Sequence, residues 1–97
     1  MKIGLLGHGT VGSGVRKIID EKNTKEVLQL EISKILVRYE KDITDERMTV
    51  DIHDIVEDPD IDVVVECIGG DEPAFSYVQA ALFNGKHVVT SNKKMLV

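Results

Sequence analysis

The chain has 97 residues, with 12 Lys and Arg against 17 Asp and Glu, a net charge of −5. That length holds one domain around one core. An acidic balance with no basic run argues against nucleic acid and against an anionic membrane as partners. A single cysteine, Cys67, excludes an internal disulfide and suits a reducing compartment, so a cytoplasmic location is expected. The first apolar run, residues 3–6, is too short for the core of a secretory signal, and no stretch approaches the ~20 apolar residues of a membrane span. His8, His53 and His87 are scattered, so no metal is expected.

Residues 2–6 form a short apolar run closed by glycine, which predicts a buried strand. Residues 11–22 place Val11, Val15, Ile18 and Ile19 at helical spacing as the apolar stripe, and the polar residues 23–26 end that helix. Residues 30–37 predict a second strand. Residues 38–47, dense in charge, read as an exposed loop, and residues 48–50 as a rudimentary strand. Residues 52–57 allow a short helix before Asp58-Pro59 stops it. The β-branched run Val63, Val64 and Val65 within residues 62–68 suits a parallel strand buried on both faces.

A further helix is expected with Asp71 as N-cap, Pro73 in its first turn, and Ala74, Val78, Ala81 and Leu82 as its buried stripe. Asn84-Gly85 supplies its stop. Residues 86–90 form another strand, and Ser91 or Asn92 caps one more helix. Strands alternating with helices across short connections predict a parallel sheet with right-handed crossovers. The expected strand order is 3-2-1-4-5, with the third strand short or missing.

The motif Gly7-His8-Gly9-Thr10-Val11-Gly12 follows the first strand and opens the first helix. In that context G-x-G-x-x-G is the dinucleotide fingerprint of a Rossmann-type doubly wound α/β fold. Gly7 permits the turn, Gly9 lets a pyrophosphate approach the backbone, and Gly12 lets the helix pack closely. The helix N-terminus offers N–H groups and a partial positive charge to the phosphates. His8 is expected to point to solvent.

Cofactor choice is made at the carboxyl end of the second strand. Glu31 lies at the wrong end of it. Arg38 lies at the right end and can fork-bind a 2′-phosphate, with Lys41 assisting, which favours NADP(H) over the alternative NAD(H). By the same geometry Ile68, Gly69 and Gly70 line the ribose on the nicotinamide side, and Thr90 to Lys93 lie close to the nicotinamide. Glu66 reads as a structural hydrogen-bonding group and Cys67 as a packing residue.

Gly-His-Gly-Thr-Val-Gly, Val-Val-Val-Glu-Cys-Ile-Gly-Gly, Asn-Gly-Lys-His-Val-Val-Thr and the closing Ser-Asn-Lys-Lys together resemble homoserine dehydrogenase, in order and over nearly the whole chain. The resemblance implies an oxidoreductase that interconverts aspartate semialdehyde and homoserine with NADPH or NADH, in threonine, methionine and isoleucine biosynthesis. It implies Gly9, Thr10, Val11 and Gly12 at the pyrophosphate, Arg38 at the 2′-phosphate, and Ile68, Gly69 and Thr90 around the nicotinamide ribose. Lys93 would be the lysine at the reacting centre. Members of the family also carry a long C-terminal part with the substrate pocket, further catalytic residues and a dimer interface. Residues 1–97 are therefore expected to be a truncated NAD(P)-binding domain that binds cofactor without turnover, its full-length form a homo-oligomer acting on an amino-acid substrate. The alternative is a stand-alone, non-catalytic nucleotide-binding module.

Overall fold

The computed structural model describes residues 1–21, 30–70 and 72–91. The chain alternates strand and helix in the expected order: β1 (Lys2–Leu6), α1 (Thr10–Glu21), β2 (Glu31–Leu36), a 3-10 turn (Glu40–Asp42), β3 (Met48–Thr49), α2 (His53–Val56), β4 (Val63–Glu66), α3 (Ala74–Phe83) and β5 (His87–Thr90). The five strands form one parallel sheet in the order β3-β2-β1-β4-β5. The third strand is two residues long, as the sparse apolar content around Met48 implies.

The register brings four strand ends to one level. Leu6 pairs with both Leu36 and Glu66, and Glu66 pairs with Thr90. The chain runs outward from β1 to β3 and returns to β4, so β1 and β4 meet at the point where the winding reverses. Ligands of open α/β sheets lie outside the carboxyl ends of the strands at such a point.

The sheet separates two apolar layers. Ile3, Leu5, Ile19, Ile32, Ile35, Val37 and Met48 pack on the α1 side. Leu6, Leu36, Ile55, Val56, Ile61, Val64 and Ala81 pack on the other. Gly4 of β1 lets α2 come close, since a Cβ there would stand 2.5 Å from the Ile55 side chain.

Three burial expectations change. Val11 and Ile18 are 55% and 54% exposed, and α1 packs instead through Gly12 and Ile19 with Val15 beside them. A helix whose contact face includes a glycine sits so near the sheet that its stripe narrows to residues directly beneath the axis. In α3, Ala74 and Ala81 are buried, but Val78 is only half-buried and Leu82 is 57% exposed, because small residues set the contact. In β4, Val64 is buried while Val63 and Val65, which pack against the α1-side layer, are only half-buried.

The helix stop at Asn84-Gly85 has a definite geometry. Gly85 takes φ +78°, its N–H donates to the Leu82 carbonyl at 3.0 Å, and the Lys86 N–H reaches back to the Ala81 carbonyl at 3.0 Å. This pair of bonds satisfies carbonyls that the helix end leaves open. The helix begins at Ala74, directly after Pro73. Asp71, expected as its N-cap, lies outside the described residues.

Candidate cofactor site

The glycine loop is built by close backbone contacts. Gly7 has φ +99°, a conformation that a residue with a side chain rarely adopts, and its N–H donates to the Leu36 carbonyl at 3.0 Å. Gly12 faces Gly7 across the turn, where a Cβ would fall 2.1 Å from the Gly7 carbonyl oxygen. Gly9 differs from both: a Cβ there would meet nothing within 4 Å. Gly7 and Gly12 thus serve the fold, and Gly9 keeps open space in front of α1. The Ser13 N–H makes a helical bond to the Gly9 carbonyl at 2.8 Å, so the N–H groups of Thr10, Val11 and Gly12 stand ahead of it in the first turn. Those groups have no helical carbonyl to bond and present donors and the positive end of the dipole to an anion.

The ends of β2 and β4 complete the rim. Arg38 follows Val37 directly beyond β2 and is exposed, its guanidinium 5.3 Å from the centre of the Tyr39 ring. Glu31 starts β2 opposite Lys2, at the far end of the sheet. Beyond β4, Glu66 is fully buried. Its Oε2 accepts the N–H groups of Ile68 and Gly69 at 2.7 and 2.9 Å, and its Oε1 accepts the Thr90 hydroxyl. The Ser91 N–H donates to the Glu66 carbonyl at 3.3 Å. One carboxylate therefore fixes the loop after β4 and ties it to the end of β5. Cys67 beside it is half-buried, and burial first and the Glu66 charge second push its thiol pKa up. A raised thiol is a poor nucleophile, consistent with a packing residue.

These rims enclose a cleft of about 760 Å³ that includes Gly7, His8, Gly9, Arg38, Ile68 and Gly69. Of the residues singled out in the sequence, these share one cavity. Thr10, Val11 and Gly12 form the helix start behind it, and Thr90 holds Glu66 at its side. Lys93 lies outside the described residues, as does Asn92.

His8 does not point free into solvent. It is half-buried, with Nε2 3.4 Å from the Arg16 guanidinium. Arg16 also donates to Asp45 Oδ2 at 2.7 Å, and the Arg47 backbone N–H donates to the other Asp45 oxygen at 2.8 Å. Arg47 in turn pairs with Asp20 at 3.1 Å. Hydrogen bonds from Arg16 hold the Asp45 carboxyl below its usual value, and those from Arg47 do the same for Asp20. The charged segment 38–47 is thus fastened to α1. The charge density of residues 38–47 predicts only an exposed loop, because no spacing along the chain signals a pair 29 residues apart. Asp42, Thr44, Pro73 and Tyr77 also line the cleft unanticipated. The position of Tyr77 one helical turn beyond Pro73, at the start of α3, is the signal that could have found it.

The family model described as homoserine dehydrogenase, NAD binding domain, matches residues 7–97. The chain belongs to this family. It is 44% identical over 105 aligned residues to the homoserine dehydrogenase of Bacillus subtilis, covering 99% of this chain and 24% of that relative. It is 41% identical to the homoserine dehydrogenase of Synechocystis, with the same two shares. Among solved structures, Staphylococcus aureus homoserine dehydrogenase superposes with a TM-score of 0.84 at 40% identity, over 96% of this chain and 26% of that one. The Thiobacillus denitrificans homoserine dehydrogenase gives 0.85 at 38% identity, over 99% and 24%. The chain spans about a quarter of the length of the relatives it matches.

The residues present suit a nicotinamide dinucleotide, the cofactor of this domain family. The open space at Gly9 leaves room for a phosphate in front of the helix start, and the cleft runs from there to Arg38 on one side and to Ile68 and Gly69 on the other. Among the described residues no group of three His, Cys, Asp or Glu could hold a metal ion, and no helix is long and apolar enough to cross a membrane.

Proposed function

We propose that the chain is the cofactor-binding domain, residues 1–97, of a cytoplasmic, NADP-preferring homoserine dehydrogenase. The observation that carries the cofactor preference is Arg38, which lies at the carboxyl end of β2 and lines the same cleft as Gly7 and Gly9. A charge-assisted hydrogen bond to a 2′-phosphate contributes ~1.5–3 kcal/mol, a preference of about tenfold or more over NADH. In this reading Gly9, Thr10, Val11 and Gly12 hold the pyrophosphate. Ile68, Gly69 and Thr90 border the nicotinamide ribose, and the buried Glu66 keeps Ile68 and Gly69 in place.

The proposed reaction interconverts aspartate semialdehyde and homoserine, a step toward threonine, methionine and isoleucine. The nicotinamide supplies or accepts the hydride when bound. The chain's own contribution to the chemistry is Lys93, whose ammonium would stabilise or protonate the developing alkoxide. The substrate pocket and the contacts of a homo-oligomer are assigned to the longer chain typical of the relatives. A domain with cofactor but no pocket neither positions an aldehyde nor excludes water, so the 97 residues are expected to bind NADPH without turnover.

The test is nicotinamide fluorescence titration of the chain and of Arg38→Ala with NADPH and NADH. The expected result is tighter binding of NADPH and a collapse of that difference in the variant. An unchanged NADPH-to-NADH affinity ratio would remove the NADP assignment. Homoserine-dependent reduction of NADP by the 97 residues alone would overturn the assignment of catalysis to a longer chain.

A further inference from the structure

Two cations gather on one exposed aromatic ring, and one of them, Arg38, lines the cleft. The Arg38 guanidinium lies 5.3 Å and the Lys41 ammonium 5.5 Å from the centre of the Tyr39 ring. The backbone explains how. Tyr39 is extended, and the chain then folds over it in the 3-10 turn Glu40–Asp42, with the Asp42 N–H donating to the Tyr39 carbonyl at 2.9 Å and the Ile43 N–H to the Glu40 carbonyl at 3.1 Å. That fold brings Lys41, three residues after Arg38, back to the same ring. Beyond the turn, Asp45 fastens the segment to Arg16 of α1, so the ring is set on an anchored loop.

Two positive charges brought together at a surface repel each other. The negative face of the ring offsets part of that repulsion, and Glu40 and Asp42 on the same turn offset more. An anion with two negative charges offsets it further and is recognised in return. Asp42 also lines the cleft beside Arg38 and its carboxylate opposes an incoming anion, so recognition of a phosphate over a neutral hydroxyl group falls to the two cations acting together.

We propose that Tyr39 is a positioning residue for cofactor choice, holding Arg38 and Lys41 together as a two-cation clamp for a phosphate monoester, the 2′-phosphate of the adenosine ribose. This rests on the NADP reading of Arg38 with Lys41 assisting, and adds Tyr39 as the strut that holds the two cations in place. The ring touches the cations, not the reacting atoms, and its effect falls on discrimination between NADPH and NADH.

The experiment titrates the full 97-residue chain and its Arg38→Ala, Lys41→Ala, Tyr39→Leu and Tyr39→Phe variants with NADPH, NADH, adenosine 2′-phosphate and inorganic phosphate. Lys41→Ala and Tyr39→Leu are each expected to lower the NADPH-to-NADH affinity ratio by about threefold to fivefold, the scale of an exposed charge contact, with NADH binding unchanged. Tyr39→Phe keeps the ring and is expected to keep the ratio. Adenosine 2′-phosphate follows NADPH across the series, whereas inorganic phosphate binding as strongly would show a general anion site and overturn the proposal. If Arg38→Ala lowers the ratio while Lys41→Ala and Tyr39→Leu do not, the clamp is wrong and the Arg38 reading stands. If Arg38→Ala also leaves the ratio unchanged, both fall. Equal weakening of NADPH and NADH by Tyr39→Leu would make the ring an adenine platform and overturn the positioning role.

Discussion

Replacing Gly9 by alanine separates the fold from the site. A Cβ at Gly9 meets no atom within 4 Å, and its φ lies outside the left-handed region, so the folded chain accepts the methyl group without strain. Restricting the unfolded chain then stabilises by ~0.4–1 kcal/mol, which for a domain of this size raises Tm by a few degrees. The methyl group occupies the space through which a pyrophosphate must approach the N–H groups of the α1 start. Losing one or two charge-assisted hydrogen bonds at ~1.5–3 kcal/mol each weakens dinucleotide binding by about tenfold to several hundredfold. Thermal unfolding followed by circular dichroism and NADPH titration by fluorescence read the two effects separately. Wild-type affinity in Gly9→Ala would place the dinucleotide elsewhere, and loss of the fold would show that the space at Gly9 is not open.

Other substitutions and conditions follow from the same contacts. Gly12→Ala puts its methyl 2.1 Å from the Gly7 carbonyl oxygen and is expected to destabilise by ~1–3 kcal/mol, seen as a lower urea midpoint. Glu66→Leu leaves the Ile68 and Gly69 N–H groups without their acceptor and should cost about 2–4 kcal/mol, whereas Glu66→Gln keeps an acceptor and should cost about 1 kcal/mol. Acid should also weaken the fold. The Asp20 and Asp45 carboxyls sit below their ordinary value of 3.8 in the folded chain, so their contribution is present above about pH 4 and is lost as pH falls through the lowered values. Both are partly exposed, so each contributes no more than ~1 kcal/mol. Urea midpoints between pH 6 and pH 3 should fall less steeply in Asp45→Asn than in the wild-type chain.

What the sequence revealed of this fold is what local rules control. The glycine motif, the β-branched run at Val63 and the Asn84-Gly85 stop each act within a few residues, and strand order, sheet sense and helix positions followed from them. The cleft was legible for the same reason: Gly7, Gly9, Arg38, Ile68 and Gly69 all sit just beyond strand ends that the register aligns. Burial of individual stripe residues was less legible. Val11, Ile18 and Leu82 have helical spacing, but how far a stripe is covered depends on the close approach at Gly12 and Ala81, which periodicity does not encode. Long-range polar contacts were least legible. The Arg16–Asp45 pair and the half-buried His8 depend on how the loop after β2 returns to α1, and only the folded chain brings them together.

In the proposed binding mode, one cleft at the carboxyl edge of the sheet takes the dinucleotide from Arg38 across the glycine loop to Gly69. Mapping backbone amide chemical shifts of the chain during titration with NADPH tests it most directly. Saturable shifts are expected at Gly7, Gly9, Thr10, Val11, Gly12, Arg38, Ile68 and Gly69, with the far ends of the strands at Lys2 and Glu31 unmoved. Shifts confined to other surfaces, or none at millimolar NADPH, would contradict it.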